Sequence, residues 1–379
     1  MDSPIRVLHV VVNMNRGGAE TLIMNLYRNV DSSRIQFDFL TCKPGVFDAE
    51  IKEMGGRIHR IPYLSEVGPS KYRALLKEFF LSHPEYKILH SHLDKMSGLV
   101  CKVAKMSGVP IRIAHSHNTE SEGNRIIKLY KWYLGTQIRS SATHYAACSK
   151  KAAAWLFGKS AVQANIIKNG VESTSFLFTE TRRSSVRQKL NLADDELAIG
   201  HIGRFHLQKN HMFLIKVFTE LLKYYPKAKL ILVGDGPLQS RIERLAVKKG
   251  IRNRVFFLGI RDDIPELLQA FDLMLFPSFH EGLPVTIIEA QAAGLPCILS
   301  EHITQEVDLG IQLIRYARLS DMEEWLSKIL YYTNRPLKRE IPESTLAVTG
   351  YDIRLTAKWI NRFYSNLVHP VDKWRDEIG

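Results

Sequence analysis

Short apolar runs recur along the whole chain, each closed by a polar turn and most followed by apolar residues at helical spacing. "RVLHVV" (6–11) comes first, then a Gly-Gly turn. "AETLIMNLYRNV" (19–30) follows, with Leu22, Ile23, Leu26, Tyr27 and Val30 on one helical face. "QFDFLTC" (36–42), "YKILHSH" (86–92), "IRIAHSH" (111–117), "HYAACS" (144–149) and "ANIIKNG" (164–170) continue the rhythm. Runs apolar at nearly every position suit strands buried on both faces. The pattern therefore predicts a mostly parallel sheet covered by helices.

The theme repeats. "LAIGHIGRF" (197–205) precedes an amphipathic stretch at 210–225, and "KLILVGDG" (229–236) precedes another at 238–249. "RVFFLG" (254–259), "DLMLFPS" (272–278) and "PCILS" (296–300) follow, with helical spacing between them. Beyond about residue 340 no strand is predicted, and "IRLTAKWINRFYSNLV" (353–368) reads as a helix. A chain of 379 residues exceeds one ordinary core. The expectation is an α/β protein of two doubly wound, Rossmann-like domains, joined through the polar stretch 171–196 with its "TRRSSVRQ". The predicted division is 1–172, 173–352 and a last helical segment 353–379. Such sheets bind ligands at the carboxyl ends of their strands, which predicts a nucleotide-sized ligand between the halves.

Composition narrows the class. With 45% hydrophobic and 24% charged residues the chain reads as soluble and globular. No apolar run approaches the roughly 18–20 residues that span a bilayer. The start, "MDSPIRVLHVV", has an acid and a proline where a secretory signal would be basic. Cys42, Cys101, Cys148 and Cys297 form no C-x-x-C pair, which argues against a zinc site and fits a reducing cytoplasm. The net charge of +13 is uneven: residues 1–170 hold 24 Lys and Arg against 13 Asp and Glu. A basic first half suits an anionic membrane, phosphorylated substrates or nucleic acid; a merely solvated basic face is the plainer alternative.

Several turns carry candidate chemistry. In "NMNRGGAE" (13–20), Gly17 and Gly18 precede a helix, where bare amides and the helix dipole can meet an anion or simply turn the chain. The spacing is not G-x-G-x-x-G, which weakens a dinucleotide oxidoreductase. "GRFHLQKN" (203–210) sets Arg204 and Lys209 after a strand, a guanidinium fork and a point charge that suit a diphosphate, or two solvated bases. "HSHLD" (90–94) and "HSHNT" (115–119) put histidine pairs at strand ends. With no acid or cysteine cluster adjacent and no D-x-D, the expectation is no metal, but neutral imidazoles that bond a hydroxyl-rich ligand or are satisfied internally. In "PSFHEGLPVTIIEAQAAGLP" (277–296), Glu281 lies in the turn before a helix and Glu289 inside it among apolar neighbours. Helix-dipole and wet-face roles exist for each acid. Glu289 fits the second poorly and needs hydroxyl donors.

"EGLPVTIIE", an acid, seven residues and an acid, resembles the signature of the family-four retaining glycosyltransferases, which have the GT-B fold. "GGAE", "NGV" (169–171), "GRFHLQKN", "LILVGDGP", "FFLG" and the long last helix match in the family's order along nearly the whole chain. The resemblance implies that Glu281, with the amides of Gly282 and Leu283, contacts the donor sugar and that Glu289 binds the ribose. Arg204 and Lys209 would hold the diphosphate, and Gly17 and Gly18 would lie beside the phosphates and acceptor. Gly259, Ile260 and Arg261 would meet the base. His115 and His117 both fit the active-site histidine, with His117 nearer the strand end. The last helix is expected to cross back onto the first domain.

The implied activity is retaining, metal-independent hexosyl transfer without a cofactor. The co-substrate is a nucleotide sugar, taken as UDP-linked on family frequency. The acceptor is expected to be a lipid-linked or anionic glycan in exopolysaccharide or capsule assembly, reached from the cytoplasm at the inner membrane face. Peripheral membrane contact is expected and nucleic acid is not. A nucleotide-sugar 2-epimerase of the same fold and transfer to a small soluble acceptor are the alternatives.

Overall fold

The computed structural model describes residues 3–121, 123–335, 338–342 and 344–369; the tail 370–379 of the predicted last segment lies outside the described residues. The chain forms two compact units, residues 1–170 with 350–379 and residues 171–349.

The first unit holds a seven-stranded parallel sheet of β1 (Ile5–Val10), β2 (Ile35–Thr41), β3 (Ile58–Arg60), β4 (Ile88–Ser91), β5 (Ile111–Ser116), β6 (His144–Ala147) and β7 (Asn165–Ile166), in the order β3-β2-β1-β4-β5-β6-β7. Every residue of β2 is buried, as helices on both faces require. One face packs Val7, Phe37, Ile88 and Ile113 against Leu22, Ile23 and Leu26 of the helix Gly18–Asn29. The other packs Leu8, Leu40 and Leu89 with Leu99, Val100 and Ala104. The helix Ile353–Val368 closes the first face. Its Ile353, Ala357, Ile360 and Tyr364, spaced four, three and four, are at most 1% exposed and join the same core. The final helix therefore returns to the first unit, as the family fold implied.

The second unit has a six-stranded parallel sheet of β8 (Ala198–Ile202), β9 (Lys229–Val233), β10 (Val255–Phe257), β11 (Leu273–Phe276), β12 (Cys297–Ser300) and β13 (Ile314–Ala317), in the order β10-β9-β8-β11-β12-β13. In each sheet the strand order reverses beside the first strand, the arrangement that opens a ligand crevice at the carboxyl edge.

Two expectations need correction. The strands Ile58–Arg60 and Ile314–Ala317 were not among the predicted runs; both lie at sheet edges and are only half-buried. The polar stretch 171–196, expected to join the two domains, lies within the second unit. The chain enters the second unit at Val171, and the helix Glu180–Lys189 docks there. Arg183 and Arg187 on that helix bond the Asp272 carboxylate and the Ala270 carbonyl, which lets Arg187 lie 2% exposed. A guanidinium whose two terminal nitrogens are hydrogen-bonded can be buried, so a polar composition does not require a solvated segment.

Candidate active site

In the second unit two loops at the carboxyl edge are stitched together. Gln208 accepts from the Phe279 amide at 2.8 Å and donates through Nε2 to the His280 carbonyl at 2.8 Å. This brings Lys209, at the end of a short 3-10 turn, to Glu281: Nζ donates to Oε1 at 2.7 Å. The ammonium also lies 4.6 Å from the Phe276 ring centroid. Glu281 is 8% exposed, so it is no surface acid at a helix start but half of a largely buried ion pair. Gly234, at φ +127°, lets the loop after β9 press on this one. A Cβ there would meet the Gly203 carbonyl oxygen at 2.4 Å.

Glu289 lies on the helix Val285–Ala292, half-buried, and among the described residues its carboxylate makes no hydrogen bond. Burial alone pushes its pKa from 4.5 up to about 7. An acid so placed lacks donors, the need its apolar neighbours predicted. Arg204 is exposed at the same strand end. Gly259 takes φ +68°, its carbonyl accepting from the Gly234 amide at 2.8 Å, and Ile260 beside it is 54% exposed. Arg261 grips Asp263 through Nε and Nη2 at 2.8 and 2.6 Å. Gly282 is buried in the turn before the helix, as is Leu283.

In the first unit, Gly17 caps the helix Gly18–Asn29, and its lack of a side chain has a visible reason. A Cβ would meet Oε2 of Glu20 at 2.2 Å, so glycine lets this acid fold back over the turn. Nothing crowds Gly18. Burial, with a further push from nearby Asp94, raises Glu20 to about 7.

The histidine pairs do not stand alone. His9, the register partner of His90, joins His90, His92, His115 and His117. His9 Nδ1 meets His92 Nε2 at 2.9 Å, and His92 Nδ1 meets His117 Nε2 at 2.8 Å. His90 Nε2 meets His115 Nδ1 at 3.0 Å, and His90 Nδ1 meets the Tyr364 hydroxyl of the returning helix at 2.7 Å. Desolvation holds all five rings neutral, with His9 and His117 lowered to about 3. His115 is 1% exposed whereas His117 is only half-buried, so of the two His117 is the one that a ligand can reach. Asp94 fixes that end of the strand. It accepts from the His117 amide at 2.8 Å and from Asn118 Nδ2 at 3.2 Å, in a left-handed conformation (φ +49°) that Asp tolerates.

Sequence reasoning missed His9, Tyr364, Glu20 and Asp94 as parts of these edges. The acids were legible as the ends of "GGAE" and "HSHLD". His9 and Tyr364 became visible only through strand register and the returning helix.

The family model for "Glycosyltransferase Family 4" matches residues 16–174, and that for "Glycosyl transferases group 1" matches residues 182–307. The chain is 38% identical to the putative glycosyltransferase EpsF of Bacillus subtilis, over 92% of this chain and 93% of that protein. It belongs to the family-four glycosyltransferases. A UDP-Gal:alpha-D-GlcNAc-diphosphoundecaprenol alpha-1,3-galactosyltransferase of Escherichia coli is 30% identical over 81% of this chain and 77% of its own length. Among solved structures, Anabaena HepE in complex with UDP and glucose superposes with a TM-score of 0.79 at 19% identity, covering 95% of this chain and 99% of that one, which shows the shared GT-B fold. The chain is therefore a glycosyltransferase. Among the described residues no helix is long and apolar enough to cross a membrane.

Proposed function

We propose that the chain transfers a hexosyl group from a UDP-sugar, with retention and without a metal at the diphosphate, to a polyprenyl-diphosphate-linked glycan. The observation that carries the reading is the Lys209–Glu281 pair with Glu289 on the helix that follows, a half-buried carboxylate that makes no hydrogen bond among the described residues. Sugar hydroxyls supply donors to Glu281 and ribose hydroxyls supply them to Glu289. Gly282 and Leu283 offer amides near the sugar, and Gly259, Ile260 and Arg261 form the base's platform. Arg204 and Lys209 stabilise the charge on the departing diphosphate, with Gly17 and Gly18 as further anion donors and His117, backed by His115, as the hydroxyl partner of the sugar. The glycosidic C–O bond breaks with its electron pair leaving on the diphosphate. The acceptor oxygen bonds the anomeric carbon from the same face, and its proton passes to a donor phosphate oxygen. No cofactor takes part.

The acceptor and the UDP donor rest on the Escherichia coli relative, whose name contains both chemistries. The acceptor also draws on the helix Arg125–Thr136 of the first unit. There Ile126, Leu129, Trp132 and Tyr133 are 79%, 65%, 58% and 52% exposed, interleaved with Arg125, Lys128 and Lys131 and with no acid. An apolar, aromatic and cationic helix face suits the headgroup region of an anionic bilayer, so we place the enzyme at the inner membrane face.

A donor panel tests the reading. Release of UDP coupled to a lipid-extractable α-linked product supports it. An epimerised free sugar without acceptor, or transfer to a water-soluble acceptor alone, overturns it. Binding to anionic vesicles that falls with salt and with Trp132→Ala supports the membrane contact, and no binding at any salt removes it.

A further inference from the structure

The second unit buries two further imidazoles beside the Lys209 stem: His201 on β8 and His211 at the start of the helix His211–Leu221, 0% and 2% exposed. Their rings meet edge to face at 4.6 Å, and His211 stacks on Phe205 at 4.2 Å. His201 Nδ1 meets the Leu275 carbonyl at 2.8 Å. A carbonyl only accepts, so Nδ1 carries the proton and Nε2 of the neutral ring keeps its lone pair. Burial holds the ring neutral, lowering its pKa from 6.5 to about 4. Nε2 is buried and has no hydrogen-bond partner among the described residues. A Cβ on Gly203 would lie 3.3 Å from it and 3.2 Å from both Cδ and Cε of Lys209. The bare glycine thus lets the lysine stem pass beside the imidazole lone pair. A phenyl ring would fill the same place without stranding a nitrogen, so stability does not account for the histidine.

We propose that His201 is a positioning residue for Lys209: its Nε2 lone pair is a second acceptor for the ammonium, which turns from Glu281 to His201 when a sugar occupies the carboxylate. The idea rests on the reading that Lys209 serves the departing diphosphate. At rest the ammonium donates to Glu281 Oε1 at 2.7 Å, and the carboxylate offsets its charge. Sugar hydroxyls that donate to Glu281 compete for that carboxylate and release the lysine. The Phe276 ring, 4.6 Å away, attracts the freed cation without fixing the direction of any N–H. A neutral lone pair does fix one N–H, and it leaves the whole positive charge to act on the diphosphate, which a second carboxylate would not. His211, held on Phe205, walls the imidazole from the side and keeps it turned to the lysine.

The first test needs no substrate. In 15N NMR of the full chain, the His201 Nε2 signal should move in the direction of a hydrogen-bonded acceptor in Glu281→Ala, where the lysine has lost its carboxylate. It should stay in place when Lys209→Ala is added. No movement in a folded Glu281→Ala chain overturns the proposal. Steady-state transfer decides independently. His201→Asn keeps a donor for the Leu275 carbonyl but loses the Nε2 acceptor, so kcat should fall about 10-fold with donor KM within about 2-fold. His201→Gln, whose amide oxygen reaches the Nε2 position, should recover most of that loss. His211→Phe keeps the stack on Phe205 and should raise the urea midpoint with kcat within about 2-fold of wild type. Equal kcat losses in His201→Asn and His201→Gln that follow their urea midpoints would make His201 structural and overturn the proposal. If Lys209→Ala is slowed and His201→Asn is not, the proposal fails alone. If Lys209→Ala turns over normally, the diphosphate reading fails and takes this role with it.

Discussion

The carboxyl edges of the two sheets have the same architecture and opposite chemistry. In the first unit five imidazoles, all held neutral by burial, bond one another and the Tyr364 hydroxyl. In the second unit the edge carries formal charge: an ammonium on a carboxylate, with a second carboxylate close by in the chain that makes no hydrogen bond among the described residues. A doubly wound sheet supplies the place for a ligand and leaves its chemistry to a few loop residues. The charged edge is suited to a diphosphate and a polyol. The neutral edge is suited to hydroxyls, because unprotonated imidazoles keep lone pairs to offer.

The sharpest way to break this contrast is to remove the charge. Lys209→Ala should lower kcat by roughly 10²–10³ if the ammonium stabilises the leaving diphosphate. It also removes the cation from a largely buried ion pair, which should lower stability as well. Steady-state kinetics together with urea unfolding separates the two effects. A variant that is destabilised but turns over normally would make the pair structural.

The two carboxylates should then part company. Glu281→Gln is expected to lower kcat, by about 10-fold or more, and Glu289→Gln to raise the donor KM by a similar factor with less effect on kcat. Equal and small effects from both would return the acids to a purely structural role.

Glu289 also gives the charged edge a pH signature. Its folded pKa is about 7 against 4.5 for the free side chain, so the folded chain binds this proton more tightly than the unfolded one. The associated stability is fully present below about pH 4.5 and is lost as pH rises through about 7. The loss is at most about 3 kcal/mol, and less for a side chain that keeps some solvent contact. Glu289→Gln should flatten that part of the stability profile. Ribose hydroxyls donate best to the ionised acid, so the wild-type donor KM should fall as pH rises through about 7, and the Gln variant's should not. A wild-type KM independent of pH across that range would remove Glu289 from the ribose.

What was legible in the sequence follows the physics of each signal. Central strands such as Ile35–Thr41, buried on both faces, show as unbroken apolar runs, and the returning helix shows its spacing at Ile353, Ala357, Ile360 and Tyr364. Edge strands such as Ile58–Arg60 and Ile314–Ala317 are short and half-solvated, so their composition is that of loops. Arg187 read as a linker residue because its burial depends on Asp272 and Ala270, more than eighty positions away. The carbonyl–amide stitching that turns Lys209 onto Glu281 is likewise invisible in composition. His90 and His92 could be placed on one strand face by their spacing of two, but not beside His9, because parallel register is set by the whole sheet.

The smallest effect expected lies at the neutral edge. Tyr364→Phe deletes only the hydroxyl that meets His90 Nδ1 at 2.7 Å, inside a core where neither group reaches water. Whichever way that proton points, one nitrogen loses its partner. The cost should be about 1–2 kcal/mol, more than a solvent-reachable hydrogen bond is worth. Tyr27→Phe is the natural comparison. Its hydroxyl donates to the Met54 carbonyl at 3.1 Å at the rim of the same core, and its loss should cost about 0.5–1 kcal/mol. Urea midpoints at constant m report both. A larger effect at Tyr364 means that the row of imidazoles is a connected network that the last helix completes. Equal losses would mean that the helix is held by Ile353, Ala357 and Ile360 alone, with the histidines merely lying beneath it.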